Sequence, residues 1–278
     1  MLHRGRWGIV AVLACVAITA LGISRLSLQP PDQSELPEPN IDPISAFLAD
    51  GPTAHLPLRF LVIGLDASMK RSDVLLAVSI PEQGKVDILS IPRDTQVIRR
   101  DGRRRKINEI YASEGIDSTR EVVAELLGVE YPYSVVLSFA GFERLVDALD
   151  GVPILVENRM HYVDRAGGLV IDIDPGYQKL TGSKALDFVR YRADGRGDIG
   201  RIARQQDFMR AWAKTIATDP TRLLALSREL PSGVQTDLPV TQSLRLALRL
   251  ATGKHHLNFS VLPGEGMYVE GVSYWLPR

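Results

Sequence analysis

The feature that most constrains the fold of this chain is an uncharged run of 18 residues, 7–24, close to its N-terminus. As a helix, the run would be roughly 27 Å long, which nearly matches a bilayer core of about 30 Å. Arg4 and Arg6 precede the run and Arg25 follows it, a slight bias that favours a cytoplasmic N-terminus. The run therefore predicts one transmembrane helix within residues 1–25, a single-pass anchor in the cell membrane with the rest of the chain extracytoplasmic.

Two other interpretations of this run remain open. A cleaved signal peptide is less favoured than an uncleaved anchor, because the apolar part of signal peptides is usually about 7–15 residues long. A lipoprotein signal ending at Cys15, the only cysteine of the chain, is the second alternative. All three interpretations place the remainder outside the cytoplasm, and a single cysteine excludes a disulfide framework or a thiolate metal cluster.

The segment that follows, residues 26–58, contains no Lys or Arg and holds seven of the 17 prolines. Such a segment buries little apolar surface, so it predicts an extended, acidic spacer, with one short helix over residues 44–48. The folded domain is therefore expected to comprise residues 59–278, enough for one substantial core.

Within this domain, apolar runs typical of buried strands alternate with helical stretches. The predicted strands are 60–64, 74–80, 85–91, 135–138, 152–157 and 257–262. The predicted helices are 119–127, capped by Thr119, and 140–149, 183–189 and 200–218, with two more near 220–230 and 240–251. The alternation predicts an α/β fold, a three-layer α-β-α sandwich with a central mixed sheet.

A cluster of five arginines, two aspartates and three glycines lies between two predicted helices, at residues 189–206. A glycine-bearing loop at a helix N-terminus offers N–H groups and a favourable dipole to an anion, and arginine grips phosphate oxygens in pairs. Arg201 and Gln205 lie four residues apart, so both can face one ligand. The cluster indicates a phosphate site, and a solvated loop of exposed ion pairs is the alternative.

Two carboxylates, Asp66 and Asp73, lie between the first two predicted strands. They can hold a hard cation such as Mg²⁺, which takes one or two carboxylates together with substrate phosphate oxygens. Arg93 follows the third strand, at the kind of strand end where α/β folds bind ligands. Taken singly, these residues have plainer explanations: Asp66 caps a turn, Asp73 pairs with Arg71, and Arg93 is a surface arginine.

Basic residues dominate positions 99–108, where six of the first eight side chains are Arg or Lys. The segment predicts a hairpin around residues 101–102 that is either simply solvated or forms an anion-steering rim, with Lys106 reaching into the site. Nucleic acid is not expected as a partner, because 33 basic residues balance 33 acidic ones and no recognition-helix motif is present. No Walker or dinucleotide glycine motif occurs, so no nucleotide is expected either.

Six segments, in this order, resemble the LytR-CpsA-Psr family of cell-envelope glycopolymer ligases over about residues 59–218. They are GLD (64–66), RSD (71–73), SIPRDT (90–95), KIN (106–108), PGYQKLTGSKALDFVRYR (175–192) and GDIGRIARQQ (197–206). The resemblance implies a membrane-tethered phosphotransferase that moves a glycopolymer from a polyprenyl-pyrophosphate lipid to a peptidoglycan hydroxyl. It also implies that the lipid tail occupies an apolar tunnel with the pyrophosphate at its mouth.

The resemblance also assigns roles by position. Asp66 and Asp73 are implied to hold Mg²⁺, and Asp198, Arg93 and Asp73 to form the catalytic centre, with Asp198 as general base. The residues implied to bind the pyrophosphate are Arg71, Arg93, Lys106, Arg190, Arg192, Arg201 and Gln205. Such a set suits phosphoryl transfer, which depends on positioning and charge neutralisation.

Two departures from the family pattern concern the metal, and a third concerns the C-terminus. The loop between Asp66 and Asp73 is short, and Val74 stands where a threonine is common, so the metal geometry can differ. Residues 219–278 match weakly and are expected only to pack. A binding protein that sequesters polyprenyl phosphates and a pyrophosphatase acting on the same lipid remain alternatives to the transferase. A transcription regulator is disfavoured by the predicted anchor and the lack of a DNA-binding motif.

Overall fold

A computed structural model describes residues 57–66, 68–69, 71–81, 84–165, 168–193, 195, 197–219, 222, 225–226, 234–239, 242, 246 and 255–278. The predicted membrane helix, the short helix over 44–48 and nearly all of the spacer lie outside these residues. Most of the two helices predicted near 220–230 and 240–251 lies outside them as well. Within the described part of the chain, no helix is both long and apolar enough to cross a membrane.

The described residues form strands and helices with the following bounds. The strands are β1 Leu58–Leu65, β2 Ser72–Ile80, β3 Gly84–Ser90, β4 Gln96–Ile98, β5 Arg104–Lys106, β6 Tyr133–Leu137, β7 Val152–Val156, β8 Met160–Asp164, β9 Leu169–Ile173, β10 Gly176–Leu180, β11 Val234–Thr236, β12 His255–Val261, β13 Gly264–Val269 and β14 Val272–Pro277. The helices are α1 Ile107–Leu127, α2 Phe139–Ala148, α3 Gly182–Arg190 and α4 Gly197–Thr218.

The centre of the fold is a mixed six-stranded sheet in the order β11-β6-β1-β2-β3-β12. β2 pairs antiparallel with both β1 and β3, whereas β1–β6 and β3–β12 are parallel pairs. β1 and β2 bury side chains on both faces, which is why they read as continuous apolar runs. The predicted α/β class and the mixed sheet are confirmed.

Two apolar clusters lie on the two faces of this sheet. On one face, Phe60 packs with Leu145 of α2 and Ile216 of α4. On the other face, Leu61 packs with Ile110 of α1. Because neighbouring strand residues point to opposite faces, β1 serves both clusters, and each fully buried side chain of this size contributes about 1.5–3 kcal/mol.

A third cluster forms beneath α3 and α4, where the ribbons β7–β10 and β8–β9 pack. The sequence pattern did not predict β8, β9 or β10. Tyr162 and Val163 of β8 and Val170 of β9 are exposed, so these strands lack a continuous apolar run. A ribbon with one solvated face carries a weaker strand signal than the central strands.

The prediction that a helix begins at Thr119 is wrong. Helix α1 begins at Ile107 and is kinked at Gly115, whose φ of 82° lies outside the helical range. The Thr119 hydroxyl donates to the Gly115 carbonyl (2.8 Å) from inside the helix, a bond that threonine makes readily without marking a helix start. The predicted end is confirmed, because Gly128 closes the helix in the left-handed conformation.

Candidate functional site

The candidate site lies at one end of β1 and β2. Gly64 and Val74 pair across these strands, and a Cβ on Gly64 would lie only 2.9 Å from the Val74 Cβ. This close approach requires glycine, and the strand register shifts directly after it. Asp73 is therefore held at the start of β2, beside the end of the neighbouring strand.

The turn that follows β3 brings Arg93 to the same place. Thr95 closes this turn, because its N–H and its hydroxyl both donate to the Pro92 carbonyl (2.9 and 2.6 Å). Arg93 Nη1 donates to Asp73 Oδ1 at 2.8 Å. Its Nε lies 3.6 Å from Asp198 Oδ1, so one guanidinium connects the sheet to the first turn of α4.

Asp198 is surrounded by three guanidinium groups. Arg201 Nη2 lies 2.8 and 3.0 Å from its two carboxylate oxygens, and Arg192 Nη1 lies 3.7 Å from Oδ1. The third group is Arg93. A carboxylate in the first turn of a helix is also favoured by the helix dipole, so Asp198 has a firm place at the centre of the cluster.

The pKa values of the two most central arginines, Arg201 and Arg93, shift in opposite directions. Burial lowers the pKa of Arg201 from its ordinary value, and the positive charges of Arg93 and Arg192 add to this effect against Asp198 and Asp73. Burial also disfavours the charged form of Arg93, but the hydrogen bond and charge of Asp73 outweigh it and raise the Arg93 pKa. The site thus crowds positive charge around Arg201, whose side chain is only 5% exposed.

We call Asp73, Arg93, Arg192, Asp198 and Arg201 the Arg–Asp cluster. Asp73, Arg192 and Arg201 of this cluster line one end of a cavity of about 450 Å³. Its polar lining includes Asp73 and four residues of the 189–206 segment, which are Arg190, Arg192, Arg201 and Gln205. Most of the remaining lining is apolar and comes from β1, β2, α2 and α4. Arg201 and Gln205, four residues apart on α4, both line this cavity.

A second cavity of about 170 Å³ continues from the first. Val62, Leu76, Leu137, Met209 and Trp212 line both, and the lining of the second is entirely apolar. It extends to Phe60 and Ile80, at the opposite ends of β1 and β2 from the charged cluster. Together the cavities form an apolar passage along the sheet, with charge at one end.

Arg190 and Gln205 hold their positions by local contacts. The Arg190 guanidinium stacks 4.7 Å from the centre of the Phe139 ring, at the start of α2. Gln205 Nε2 donates to the Val189 carbonyl at 3.3 Å, which ties α4 to the end of α3. Both contacts fix side chains that line the cavity.

Five predicted site residues do not line the cavity, namely Asp66, Arg71, Arg93, Lys106 and Asp198. Arg93 and Asp198 instead contact residues that do line it, Arg93 through Asp73 and Asp198 through Arg192 and Arg201. The Asp66 carboxylate accepts hydrogen bonds from the Ser68 hydroxyl (2.7 and 2.8 Å) and the Arg71 N–H (3.2 Å), and the Arg71 side chain is exposed. Lys106 Nζ pairs with Asp94 Oδ1 (3.0 Å). Asp66 therefore caps the turn of its own loop, which was the plainer explanation for this residue.

Known proteins resemble this chain in sequence and in fold. The model of the LytR_cpsA_psr family matches residues 33–278, most of the chain. The chain belongs to the LytR-CpsA-Psr family.

Several relatives in the LytR-CpsA-Psr family are about equally similar to this chain. It is 30% identical over 190 residues to the "Regulatory protein MsrR" of Staphylococcus aureus, a match that covers 66% of this chain and 57% of MsrR. It is also 30% identical over 233 residues to the "Polyisoprenyl-teichoic acid--peptidoglycan teichoic acid transferase TagU" of Bacillus cereus, covering 79% of this chain and 73% of TagU.

Solved structures share the fold. The Bacillus subtilis TagV structure superimposes with a TM-score of 0.66 at 24% identity, covering 81% of this chain and 92% of TagV. TagT bound to LIIa-WTA superimposes with a TM-score of 0.62 at 25% identity, covering 80% of this chain and 85% of TagT.

The sequence did not predict a role for Tyr162 or Asp164, two residues of β8. Tyr162 and Asp164 of β8 line the cavity and face the same side of the β8–β9 ribbon. Their spacing of two residues is the signal for a shared strand face, but it is recognisable only once β8 is known to be a strand.

Proposed function

We propose that this chain transfers a glycopolymer from a polyprenyl-pyrophosphate carrier to a hydroxyl group of peptidoglycan. The observation that carries the proposal is the Arg–Asp cluster at one end of an apolar passage. A prenyl tail suits the passage, and the pyrophosphate suits the arginines. The name of the relative TagU, a transferase of teichoic acid to peptidoglycan, supports the same reaction class.

The arginines supply the charge complement of a pyrophosphate. Among the described residues, Nε of Arg93 and Nε of Arg201 are buried and make no hydrogen bond. Arg201 also lines the cavity, so its guanidinium favours a ligand rich in acceptor oxygens there. Arg190 and Arg192 extend the same positive surface along the cavity wall.

In the proposed reaction, the acceptor hydroxyl oxygen forms a bond to the phosphorus that carries the glycopolymer. The bond from that phosphorus to the bridging oxygen breaks, and polyprenyl phosphate leaves with the electron pair. Asp198 takes the proton of the hydroxyl, because it is the carboxylate at the centre of the cluster. Arg93 and Arg201 stabilise the charge that develops on the phosphoryl oxygens.

Mg²⁺ remains part of the proposal. Asp73 fits as a ligand because it lines the cavity and only its Oδ1 accepts a hydrogen bond from Arg93. A single carboxylate is enough for Mg²⁺ when phosphate oxygens complete its coordination shell. Among the described residues, no group of three acidic, His or Cys side chains surrounds a metal position. Asp66 would become a second ligand only after releasing Ser68. When bound, the ion would neutralise pyrophosphate charge.

The proposal includes the membrane anchor over residues 7–24 and an extracytoplasmic domain. A tethered enzyme suits a tethered donor, since both remain at the membrane surface. The reaction consumes no nucleotide, because the pyrophosphate linkage already supplies the driving force.

The test is a transfer assay with the full chain in lipid nanodiscs, lipid-linked glycopolymer and purified peptidoglycan. Asp198→Asn should lower transfer at least about 100-fold, the usual contribution of a general base, while donor binding persists. Asp207→Asn, at an exposed pair with Arg210 on the same helix, is the matched control and should transfer normally. Release of polyprenyl phosphate without linkage to peptidoglycan would instead assign a pyrophosphatase, and donor binding without turnover would assign a carrier protein.

A further inference from the structure

A second concave surface lies between the β4–β5 hairpin and the C-terminal β13–β14 hairpin. It has a volume of about 560 Å³ and is lined by Arg103, Arg104, Arg105, Glu270, Val272 and Tyr274, among others. We call it the basic groove. Three arginines face one glutamate there, and an aromatic ring and aliphatic side chains complete the surface. This composition suits a ligand that carries carboxylates, since arginine grips carboxylate oxygens in pairs.

The basic groove is linked to the Arg–Asp cluster by consecutive contacts. The Lys106 ammonium lies 5.9 Å from the centre of the Tyr274 ring and pairs with Asp94 at 3.0 Å. Asp94 directly precedes Thr95 in the turn that presents Arg93, and its carbonyl accepts a hydrogen bond from the Trp275 N–H (2.9 Å). The groove shares no lining residue with the apolar cavity, so the two are separate concavities.

The arginines of the groove are available to an incoming anion. Arg103 is 75% exposed and lies 3.6 Å from Asp101, while Arg104 lies 3.3 Å from Glu270, which is itself 84% exposed. Exposed ion pairs of this kind are weak, and a multivalent anion can replace their carboxylates. Glu270 thus occupies a position that a ligand carboxylate would take.

Reaction geometry indicates which substrate belongs in this groove. In a phosphoryl transfer, the attacking and leaving oxygens lie roughly in line on opposite sides of phosphorus. The leaving group is the prenyl phosphate in the apolar cavity, so the attacking hydroxyl approaches from the other side. The basic groove is separate from the apolar cavity and is connected to the Arg93 turn through Asp94 and Lys106, which makes it the candidate position for the acceptor.

We propose that the basic groove binds the acceptor, a peptidoglycan strand whose stem-peptide carboxylates contact Arg103 and Arg104. This inference rests on the proposed function and adds the acceptor site to it. It also gives the C-terminal hairpin a role beyond packing.

The test uses the full chain in nanodiscs and a double variant, Arg103→Gln with Arg104→Gln. Co-sedimentation with purified peptidoglycan should weaken roughly five- to tenfold, because two exposed charge contacts are lost. The KM for peptidoglycan in the transfer assay should rise equally, with kcat and the affinity for farnesyl pyrophosphate unchanged. Glu270→Gln removes the competing carboxylate and should tighten co-sedimentation about two- to threefold.

The matched control is Arg159→Gln with Arg210→Gln, which removes the same charge from exposed positions outside the groove. If co-sedimentation of this control weakened equally, the inference would be overturned, because the attraction of the protein to peptidoglycan would then depend only on net charge. Unchanged co-sedimentation of the groove variant, or a raised KM for the lipid-linked donor instead, would overturn it too. Co-sedimentation does not depend on turnover, so it decides the inference even if the chain proves not to be a transferase.

Discussion

Replacing Arg201 by methionine should weaken the binding of pyrophosphate and change the free energy of unfolding only slightly. Methionine keeps an unbranched apolar stem in the buried position and removes only the guanidinium. In the wild-type protein, that group contacts both oxygens of Asp198, while Arg93 and Arg192 remain 3.6 and 3.7 Å from the same carboxylate. Asp198 therefore stays compensated in the variant.

The magnitudes follow from these contacts. Removing one partner of a buried pair is unfavourable by about 3–5 kcal/mol when the remaining charge has no compensation. Here Arg93 and Arg192 still compensate the charge of Asp198. The loss of Arg201 also removes its repulsion with these two arginines. The free energy of unfolding should therefore change by less than about 1.5 kcal/mol. A lost hydrogen bond to a charged ligand is worth about 1.5–3 kcal/mol, which corresponds to about 10- to 150-fold weaker pyrophosphate binding.

The assay is isothermal titration calorimetry with farnesyl pyrophosphate, a soluble probe, together with urea unfolding of the same protein. Arg210→Met on the same helix is the control, since Arg210 is exposed and pairs with Asp207, and it should bind the probe normally. The reasoning is refuted if Arg201→Met binds within about twofold of the wild type, or if it unfolds before binding can be measured.

Three further predictions concern the apolar passage, the close contact between β1 and β2 at Gly64, and the carboxyl group of Asp187. Val62→Phe should narrow the junction of the two cavities and weaken farnesyl pyrophosphate binding, but leave inorganic pyrophosphate binding unchanged in the same titration. Gly64→Ala should lower the free energy of unfolding in urea by about 1–3 kcal/mol, because the new Cβ meets Val74, and adding Val74→Ala should restore part of the loss. Burial raises the pKa of Asp187, so the folded state binds its proton more tightly and stability falls as pH rises above the unfolded value of about 3.9. Asp187→Asn should therefore be more stable than the wild type at pH 7 and equally stable near pH 3, as measured by urea unfolding. A less stable variant at pH 7 would contradict the upward shift of the Asp187 pKa.

The central strands could be predicted because they are buried on both faces. β1 and β2 have helices on either side, so their apolar residues form unbroken runs. The ribbons β8–β9 and β13–β14 have one solvated face, and tertiary contacts rather than local sequence give them their structure. For the same reason, Tyr162 and Tyr274 could not be assigned to any site from the sequence.

The candidate site could be predicted where its residues share one local element. Asp198, Arg201 and Gln205 lie on one helix, so their spacing already indicates a common direction. Asp66 and Lys106 could not be placed in this way. Asp66 is held by hydrogen bonds within its loop and Lys106 by Asp94, and such local partners are decided by backbone geometry that the residue types do not specify.

The most direct test of the account is a crystal structure of the domain with farnesyl pyrophosphate. The account predicts the diphosphate against Arg190, Arg192 and Arg201, and the prenyl chain along β1 and β2 toward Phe60. A diphosphate bound elsewhere, or a prenyl chain outside the apolar passage, would contradict it.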